Sequence, residues 1–471
     1  MRPLTKSLSL ISTEDFPRMR YLPHTPEDRH IMMTQIGISH IDELFKDVPK
    51  EALLDNLLDL PVHADELTVE RHITRLSRQN TVAGEVPCFL GCGAYRHHVP
   101  AAVDALIQRG EFLTSYTPYQ PEISQGTLQA LYEFQTQVAL ITGMDVANGS
   151  MYDGSTACAE AVLMAGRVNR RKNVVLSGGL HPFYCDVVET LTQFTELKIE
   201  RKKPEPPSGD HHDTSALEST INEDTACVVV QYPDFFGHIR DFSNLAKRCR
   251  EQESLLIIVT TEPVALGALK SPGSMGADIV VGEGQALGVG LNYGGPYLGL
   301  FAAKHEHMRQ MPGRIAGETK DSDGRRGWVL TLNAREQHIR RERATSNICT
   351  NSGLCALAFS IHLSLLGEDG FRRLAQVNHV AAQSLAEQLQ KVPGVKVLNN
   401  TFFNEFTVRF PCPTEPLIEK LADHEILGGV PVSRLYPGRE DLRNLALLTA
   451  TETTTNADIE SLVTTLAEFV R

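Results

Sequence analysis

A chain of 471 residues, 42% hydrophobic and 22% charged, has the composition of a globular protein and is long enough for a large buried core. A formal net charge of −13 argues against nucleic acid as the main ligand and leaves room for a small anionic substrate or a charge-matched protein partner. No apolar stretch reads as a bilayer span, and the weakly apolar MRPLTKSLSLISTEDF has no small-residue cleavage site after it, so neither a membrane anchor nor a secretory signal is expected. The nine cysteines are scattered. Cys158, Cys185, Cys227 and Cys249 fall inside apolar patterns, as reduced core thiols do, and the Cys88, Cys92 pair has no second pair or suitably spaced His to make a zinc site. The expected compartment is the cytoplasm.

Residues 1–75 read as an arm carrying short helices: DRHIMMTQIGI and ISHIDELFKDV have helical periodicity, and EALLDNLLDL is short and amphipathic. The arm is too polar to form a core alone, which predicts that it lies on a partner subunit or on the main domain. Tyr21, Pro23, His24 and Thr25 read as a turn and helix N-cap. LTVERHITRLSRQN is a further helix, and CFLGCGAYRHHVP turns through glycines into the helix PAAVDALIQRG. YTPYQPEISQ, polar and interrupted by prolines, precedes a long amphipathic helix from about Ser124 to Thr142. NGSMYDGST opens the next helix with small residues, whose backbone N–H groups can face an anion.

From about residue 172 to 303, apolar runs (NVVL, LKIERKK, ACVVVQ, SLLIIVT, ADIVVG, YLGLFAA) alternate with helices, as parallel βαβ units require. KKPEPPSGDHHDTS is a polar surface loop. Ligands in such sheets sit at the carboxyl ends of strands, which here present His181, Gln231, Asp234, Glu262 and Gln285. The basic run Arg335 to Arg343 reads as a solvated or interface-facing helix surface, and TSNICTNSG breaks the chain before an apolar helix. A smaller α+β unit follows, its last helix capped by Asn456. The expected division is therefore an arm (1–75), a large α/β domain (76–325), a linker and interface segment (326–360) and a small α+β domain (361–471).

The glycine-rich loop from Gly282 to Gly299 holds no Lys, Cys or His; its ionisable side chains are Glu283, Tyr293 and Tyr297, and Gln285 stands at its centre. No phosphate-binding P-loop, dinucleotide fingerprint, nucleophile elbow or HExxH motif is present. The adjacent histidines His97-His98 and His211-His212 read as surface residues of polar loops. A large parallel-sheet domain carries, in order, a small-residue helix start, a His after a strand, an acid after a strand and a glycine-rich loop, and a small α+β domain follows. That order resembles the fold-type I pyridoxal-phosphate enzymes, with a mostly parallel, seven-stranded type of sheet. By this resemblance NGSMYDGST, with Ser150, stands where the cofactor phosphate is held. His181 stands at the stacking position, Glu262 near the acid that protonates the ring nitrogen, and Gln285 where the Schiff-base Lys belongs.

Closer wording narrows the family. RYLPHTPEDRHIMMTQIGISHIDELF, FLTSYTPYQPEISQGTLQALYEFQ, NGSMYDGSTACAEA, GADIVVGEGQALG, GGPYLG and SNICTN resemble the glycine cleavage system P-protein family over nearly the whole chain, in the first-subunit branch of its split bacterial form. The resemblance implies a glycine dehydrogenase (decarboxylating) active only with a second subunit, two of each in a heterotetramer. Glycine loses CO₂, and its aminomethyl group passes to the lipoyl arm of H-protein. Pyridoxal phosphate would be bound by the second subunit, and this chain would hold no catalytic residue and a vestigial pocket of Ser150, His181, Glu262 and Gln285. Tyr95, Tyr116, Tyr119, Gln120, Glu122 and Ser124 are then expected to complete the active site of the neighbouring subunit, or else to form a rigid inter-subunit turn. Thr350 and Asn351 are expected either to reach that subunit's cofactor phosphate or to cap the following helix. TNSG stands where the family pattern has TNQ. The alternatives are a non-catalytic scaffold subunit and a self-sufficient pyridoxal-phosphate decarboxylase or aminotransferase.

Overall fold

Short strands, the middle ones (NVVL, TACVVVQ, LLIIVT) uncharged and rich in Val, Ile and Leu, form the centre of the structure, a computed structural model that describes residues 24–54, 58–61, 64–204, 206 and 214–470. Seven of them make one sheet: β1 (Val146–Ala147), β2 (Asn173–Leu176), β3 (Lys198–Arg201), β4 (Thr225–Gln231), β5 (Leu255–Thr260), β6 (Ile279–Glu283) and β7 (Gly299–Ala303), in spatial order β1-β7-β6-β5-β4-β2-β3. Strands β2 to β6 are mutually parallel, and β7 runs antiparallel to both of its neighbours. Every residue of β4 and β5 is buried, because helices cover both faces. Side chains alternate between the faces as the pleat requires. Val228, Val230 and Ile258 meet Phe134 and Val138 of the Gln125–Thr142 helix, while Val229, Ile257 and Val281 meet Ala157, Ala161 and Val162 of the Gly154–Asn169 helix.

A two-stranded ribbon, β8 (Ile315–Lys320) with β9 (Arg326–Thr331), stands where the sequence reads as connecting chain. Its turn is local chemistry, with the Asp321 carboxylate accepting from the backbone N–H groups of Asp323 and Arg325. Past it, β10 (Lys396–Val397), β11 (Glu405–Arg409), β12 (Val430–Pro431) and β13 (Leu445–Thr449) form a small antiparallel sheet in order β10-β11-β13-β12. The helices Thr414–Asp423 and Asn456–Phe469 pack on it. Thr455, not Asn456, caps the last helix; its hydroxyl and the Asp458 carboxylate close a capping box.

The Gly353–Leu389 helix joins the two sheets across the expected 360/361 boundary, with one break at Gly367 (φ 61°, ψ −173°). By length and composition alone it is apolar enough to cross a bilayer, which corrects the expectation that no such stretch exists. Its apolar residues are divided between two cores: Phe359 and Leu363 against the large sheet, Ala382, Leu385 and Leu389 against the small one.

The chain separates into two compact units, Met1–Gln79 and Asn80–Arg471. In the first, Pro26–Ile36 is a helix capped by Thr25 and Glu66–Ser77 a helix capped by Asp65. Ile41–Phe45 and Lys50–Ala52 are single 3₁₀ turns where longer helices are expected, since short helices are marginal unless a packed face supports them. Tyr21, Pro23 and the middle of EALLDNLLDL lie outside the described residues, as do His211 and His212. No described residue of this unit is buried, and Ile36, Phe45, Leu54 and Leu60 are all exposed.

Candidate active site

The carboxyl ends of β4, β5 and β6 bring together Gln231, Glu262 and Gln285, and the start of the Pro182–Thr192 helix adds His181. All four are buried. Gln285 is locked. Its carboxamide accepts from the Tyr95 N–H (2.9 Å) and donates to the carbonyls of Tyr95 and Val289 (2.9 Å each). Tyr95 is correspondingly buried and donates its hydroxyl to Glu405 (2.9 Å), so the structure separates it from the other tyrosines with which the sequence groups it. Glu262 is committed as well, accepting from Val264 N (3.0 Å), Asn404 Nδ2 (3.0 Å) and His97 Nε2 (2.9 Å).

His97 contradicts its reading as a surface residue. Its side chain is 2% exposed, and its other ring nitrogen meets Glu452 at 2.9 Å. Burial disfavours charge on this imidazole, but the two carboxylates outweigh it and raise its pKa to about 10. The His181 ring takes the opposite course. Burial lowers it to about 4, against the pull of the Cys92 carbonyl to which Nε2 donates (3.0 Å), and Nδ1 accepts from the Phe183 N–H. Phe183, Tyr184 and Phe235 surround that ring at 5.3–5.5 Å.

The small-residue helix start is also filled. Asp153 accepts from the N–H groups of Ser155 and Thr156, and the Glu283 carboxylate accepts from Gly154 N (3.0 Å), Gln285 N (3.1 Å) and Leu298 N (2.8 Å). Of these donors, the N–H groups of Gly154, Ser155 and Thr156 are the ones that a phosphate at this helix N-terminus would use. Burial raises the Glu283 carboxyl to about 8, with three backbone donors opposing. Ser150 accepts from Ser352 N (3.0 Å). The space left between Tyr95, Asp234, Thr261, Glu262 and Glu405 is about 10 Å³, the size of one water.

A second cluster stands open. Tyr116 is 83% exposed and Tyr119 56%. Gln120 and Glu122 are exposed too, and Ser124 is the N-cap position of the Gln125–Thr142 helix without a side-chain cap bond. A cavity of about 220 Å³ is lined by Ser115, Tyr116, Thr350 and Asn351, among others. Neither Thr350 nor Asn351 caps the following helix, whose N-cap is Ser352. Both face Arg314, a residue that sequence reasoning missed because nothing in MPGRIAG marks it. Buried Arg314 donates from Nη1 to Thr350 Oγ1 (3.0 Å) and Asn351 Oδ1 (3.4 Å), and from Nη2 to the Tyr119 hydroxyl (3.2 Å) and the Cys349 carbonyl (2.8 Å). The nearby basic run is not one helix face: Arg335 is half-buried and donates to the Gly313 carbonyl, whereas Arg340, Arg341 and Arg343 are exposed. Among the described residues no group of His, Cys, Asp and Glu has a metal-binding arrangement.

Residues 19–466 match the family model of the glycine cleavage system P-protein. The chain belongs to that family. The P-protein relatives include probable glycine dehydrogenase (decarboxylating) subunit 1 of Rhizorhabdus wittichii, 60% identical over 450 residues, covering 95% of this chain and 99% of the relative. The protein of the same description from Rhodospirillum rubrum is 59% identical and covers 96% and 100%. A crystal structure of a glycine decarboxylase (P-protein) of the glycine cleavage system, in inhibitor-bound form, is 41% identical with a TM-score of 0.84, over 96% of this chain and 100% of that one. Sphingosine-1-phosphate lyase of Burkholderia pseudomallei shares the fold at 13% identity (TM-score 0.61, covering 88% and 92%). The fold is that of the fold-type I pyridoxal-phosphate enzymes, as expected. In this P-protein chain, however, the sheet end does not fit that cofactor. Glu262 is already bonded to Val264, Asn404 and His97, Asp153 and Glu283 take the N–H groups of the helix start, and a carboxamide, Gln285, stands bonded at the centre of the glycine-rich loop.

Proposed function

We propose that this chain is the subunit of glycine dehydrogenase (decarboxylating) that shapes a shared active site, while a second subunit holds pyridoxal phosphate. The observation that carries this reading is the Gln285 carboxamide, hydrogen-bonded into the place of a Schiff-base Lys, in a chain whose relatives are named as subunit 1. The two subunits form a heterotetramer, two of each, in the cytoplasm. The exposed apolar side chains of Ile36, Phe45, Leu54 and Leu60 are what such an assembly would cover. The cofactor supplies the electron sink for loss of CO₂ from glycine, and the aminomethyl group leaves on the lipoyl arm of H-protein.

This chain's residues bind and orient. Tyr116, Tyr119, Gln120 and Glu122 stand on a proline-stiffened loop and face outward, so the second subunit can close over them and exclude water. Phenol hydroxyls and a carboxamide hold the glycine carboxylate without a strong competing charge. Thr350 and Asn351, at the rim of the same cavity, present polar groups to the cofactor phosphate of the second subunit.

Purified alone, the chain should show no exchange of glycine carboxyl with bicarbonate. Co-expression with the second subunit should restore it, and exchange by the chain alone would overturn the proposal. In the assembled enzyme Tyr116→Phe is expected to raise the glycine KM roughly 10-fold, the worth of one hydrogen bond to a charged group. Unchanged kcat and KM in both Tyr116→Phe and Glu122→Gln would remove this loop from the site.

A further inference from the structure

We infer that Arg314 is a positioning residue that fixes the hydrogen-bond polarity of the open cavity so that it receives an anion, a carboxylate or a phosphate. The inference rests on the reading that this cavity completes the second subunit's site. Guanidinium groups donate and never accept, so every group facing one must present a lone pair. Arg314 takes a lone pair from the Thr350 hydroxyl, from the Tyr119 hydroxyl and from the Asn351 carbonyl oxygen. The two hydroxyl protons are thereby directed away from the guanidinium and left as donors. Asn351 is fixed the same way up: its oxygen faces Arg314, and its Nδ2 donates to the Gly149 carbonyl at 2.8 Å.

Three segments meet at this one side chain. The tyrosine loop arrives through Tyr119, whose ring also lies under the guanidinium at 5.4 Å. The 349–351 turn arrives through Cys349, Thr350 and Asn351. The small-residue loop joins through the backbone, since Gly149 N–H donates to the Arg314 carbonyl at 2.7 Å. Arg314 is 3% exposed and so holds these groups rather than meeting a ligand itself. Its Nε lies 3.7 Å from Glu336, without a hydrogen bond, so that carboxylate balances the charge and leaves the two Nη groups to Thr350, Asn351, Tyr119 and Cys349. A lysine would offer one point charge with three donors in place of a planar fork, too few to serve the four acceptors that Arg314 holds.

The test uses the assembled enzyme with Arg314→Gln, Arg314→Lys, Tyr119→Phe, Thr350→Val and the Arg314→Gln/Tyr119→Phe double variant. Glycine KM, kcat and the dissociation constant of pyridoxal phosphate are measured, with the melting temperature alongside. Arg314→Gln should weaken anion binding roughly 10- to 100-fold while kcat changes much less. A raised glycine KM identifies the anion as the substrate carboxylate, and a raised cofactor dissociation constant identifies it as the phosphate. Arg314→Lys should recover little, and the double variant should lose less than the sum of the two single losses, because without the guanidinium the Tyr119 hydroxyl is no longer oriented as a donor. Unchanged constants in both Tyr119→Phe and Thr350→Val would sink the shared-site reading itself. Weakened binding in those two, with a double variant that is simply additive, would leave that reading standing and overturn the role of Arg314. A lowered melting temperature in Arg314→Gln with both constants unchanged would overturn it too.

Discussion

Gln285→Leu is expected to destabilise the Asn80–Arg471 unit by roughly 3–6 kcal/mol, because it leaves three buried backbone groups without partners at about 1–3 kcal/mol each, less what the apolar side chain regains. The groups are the N–H and carbonyl of Tyr95 and the carbonyl of Val289, all now served by one carboxamide that is 1% exposed. Denaturant melts of the two chains measure the difference. A loss below about 1 kcal/mol would show that the network is not what holds the glycine-rich loop. Gln285→Lys is the sharper probe. It restores the amine that the fold family expects, yet Glu283 and Asp153 still take the N–H groups of the helix start and Glu262 is still bonded to His97, Asn404 and Val264. The variant should therefore bind pyridoxal phosphate no better than wild type, and borohydride reduction followed by peptide mapping should find no label at position 285. A labelled peptide there would mean that the pocket opens readily, and that only the missing amine keeps the cofactor out.

The parts of this site that could be read from sequence are those where chemistry follows from residue type alone. An uncharged run such as ACVVVQ has one stable use, a strand covered on both faces, and the absence of a Lys between Gly282 and Gly299 is visible without coordinates. Placement across long sequence separations was not legible. Tyr95 reads like the tyrosines of the following loop, but its partner Glu405 lies 310 residues on, so burial beside the sheet end is decided by a contact that no local pattern announces. His97 looks like half of an exposed doublet for the same reason, since its two carboxylates come from β5's end and from beyond β13. Glu283 was visible as the loop's one acid. Its work at the helix start depends on β6 ending beside Gly154, which is a fact of topology. Arg314 had no signal at all: a single arginine in a glycine- and proline-containing link is common, and its four acceptors are scattered from residue 119 to 351.

His97→Phe should cost roughly 3–5 kcal/mol near neutral pH, the penalty for leaving two buried carboxylates without the cation between them. His97 joins Glu262 at the end of β5 to Glu452, which follows β13 and is held in turn by Asn378 of the Gly353–Leu389 helix (2.8 Å) and by the His98 N–H (2.7 Å). The clamp thus fastens the small sheet to the large one, and its pH dependence has a definite sign. His97 titrates at about 10 when folded against an ordinary 6.5, so its contribution is complete below about pH 6.5 and is lost as pH rises through 10. Glu452 moves the other way. Burial would raise its carboxyl, but the hydrogen bond and charge of His97, with the donors from His98 and Asn378, hold it down to about 2, so its contribution is complete above about pH 4.5 and is lost as pH falls through 2. The stability difference between wild type and His97→Phe should therefore be widest between about pH 5 and 6.5. It should shrink by about 1.4 kcal/mol per pH unit on the alkaline side. Urea melts of both proteins at a series of pH values give that difference directly, and titrating groups that do not touch His97 cancel between the two. A difference that stays flat from pH 6 to 10 would mean that His97 is not held charged in the folded protein.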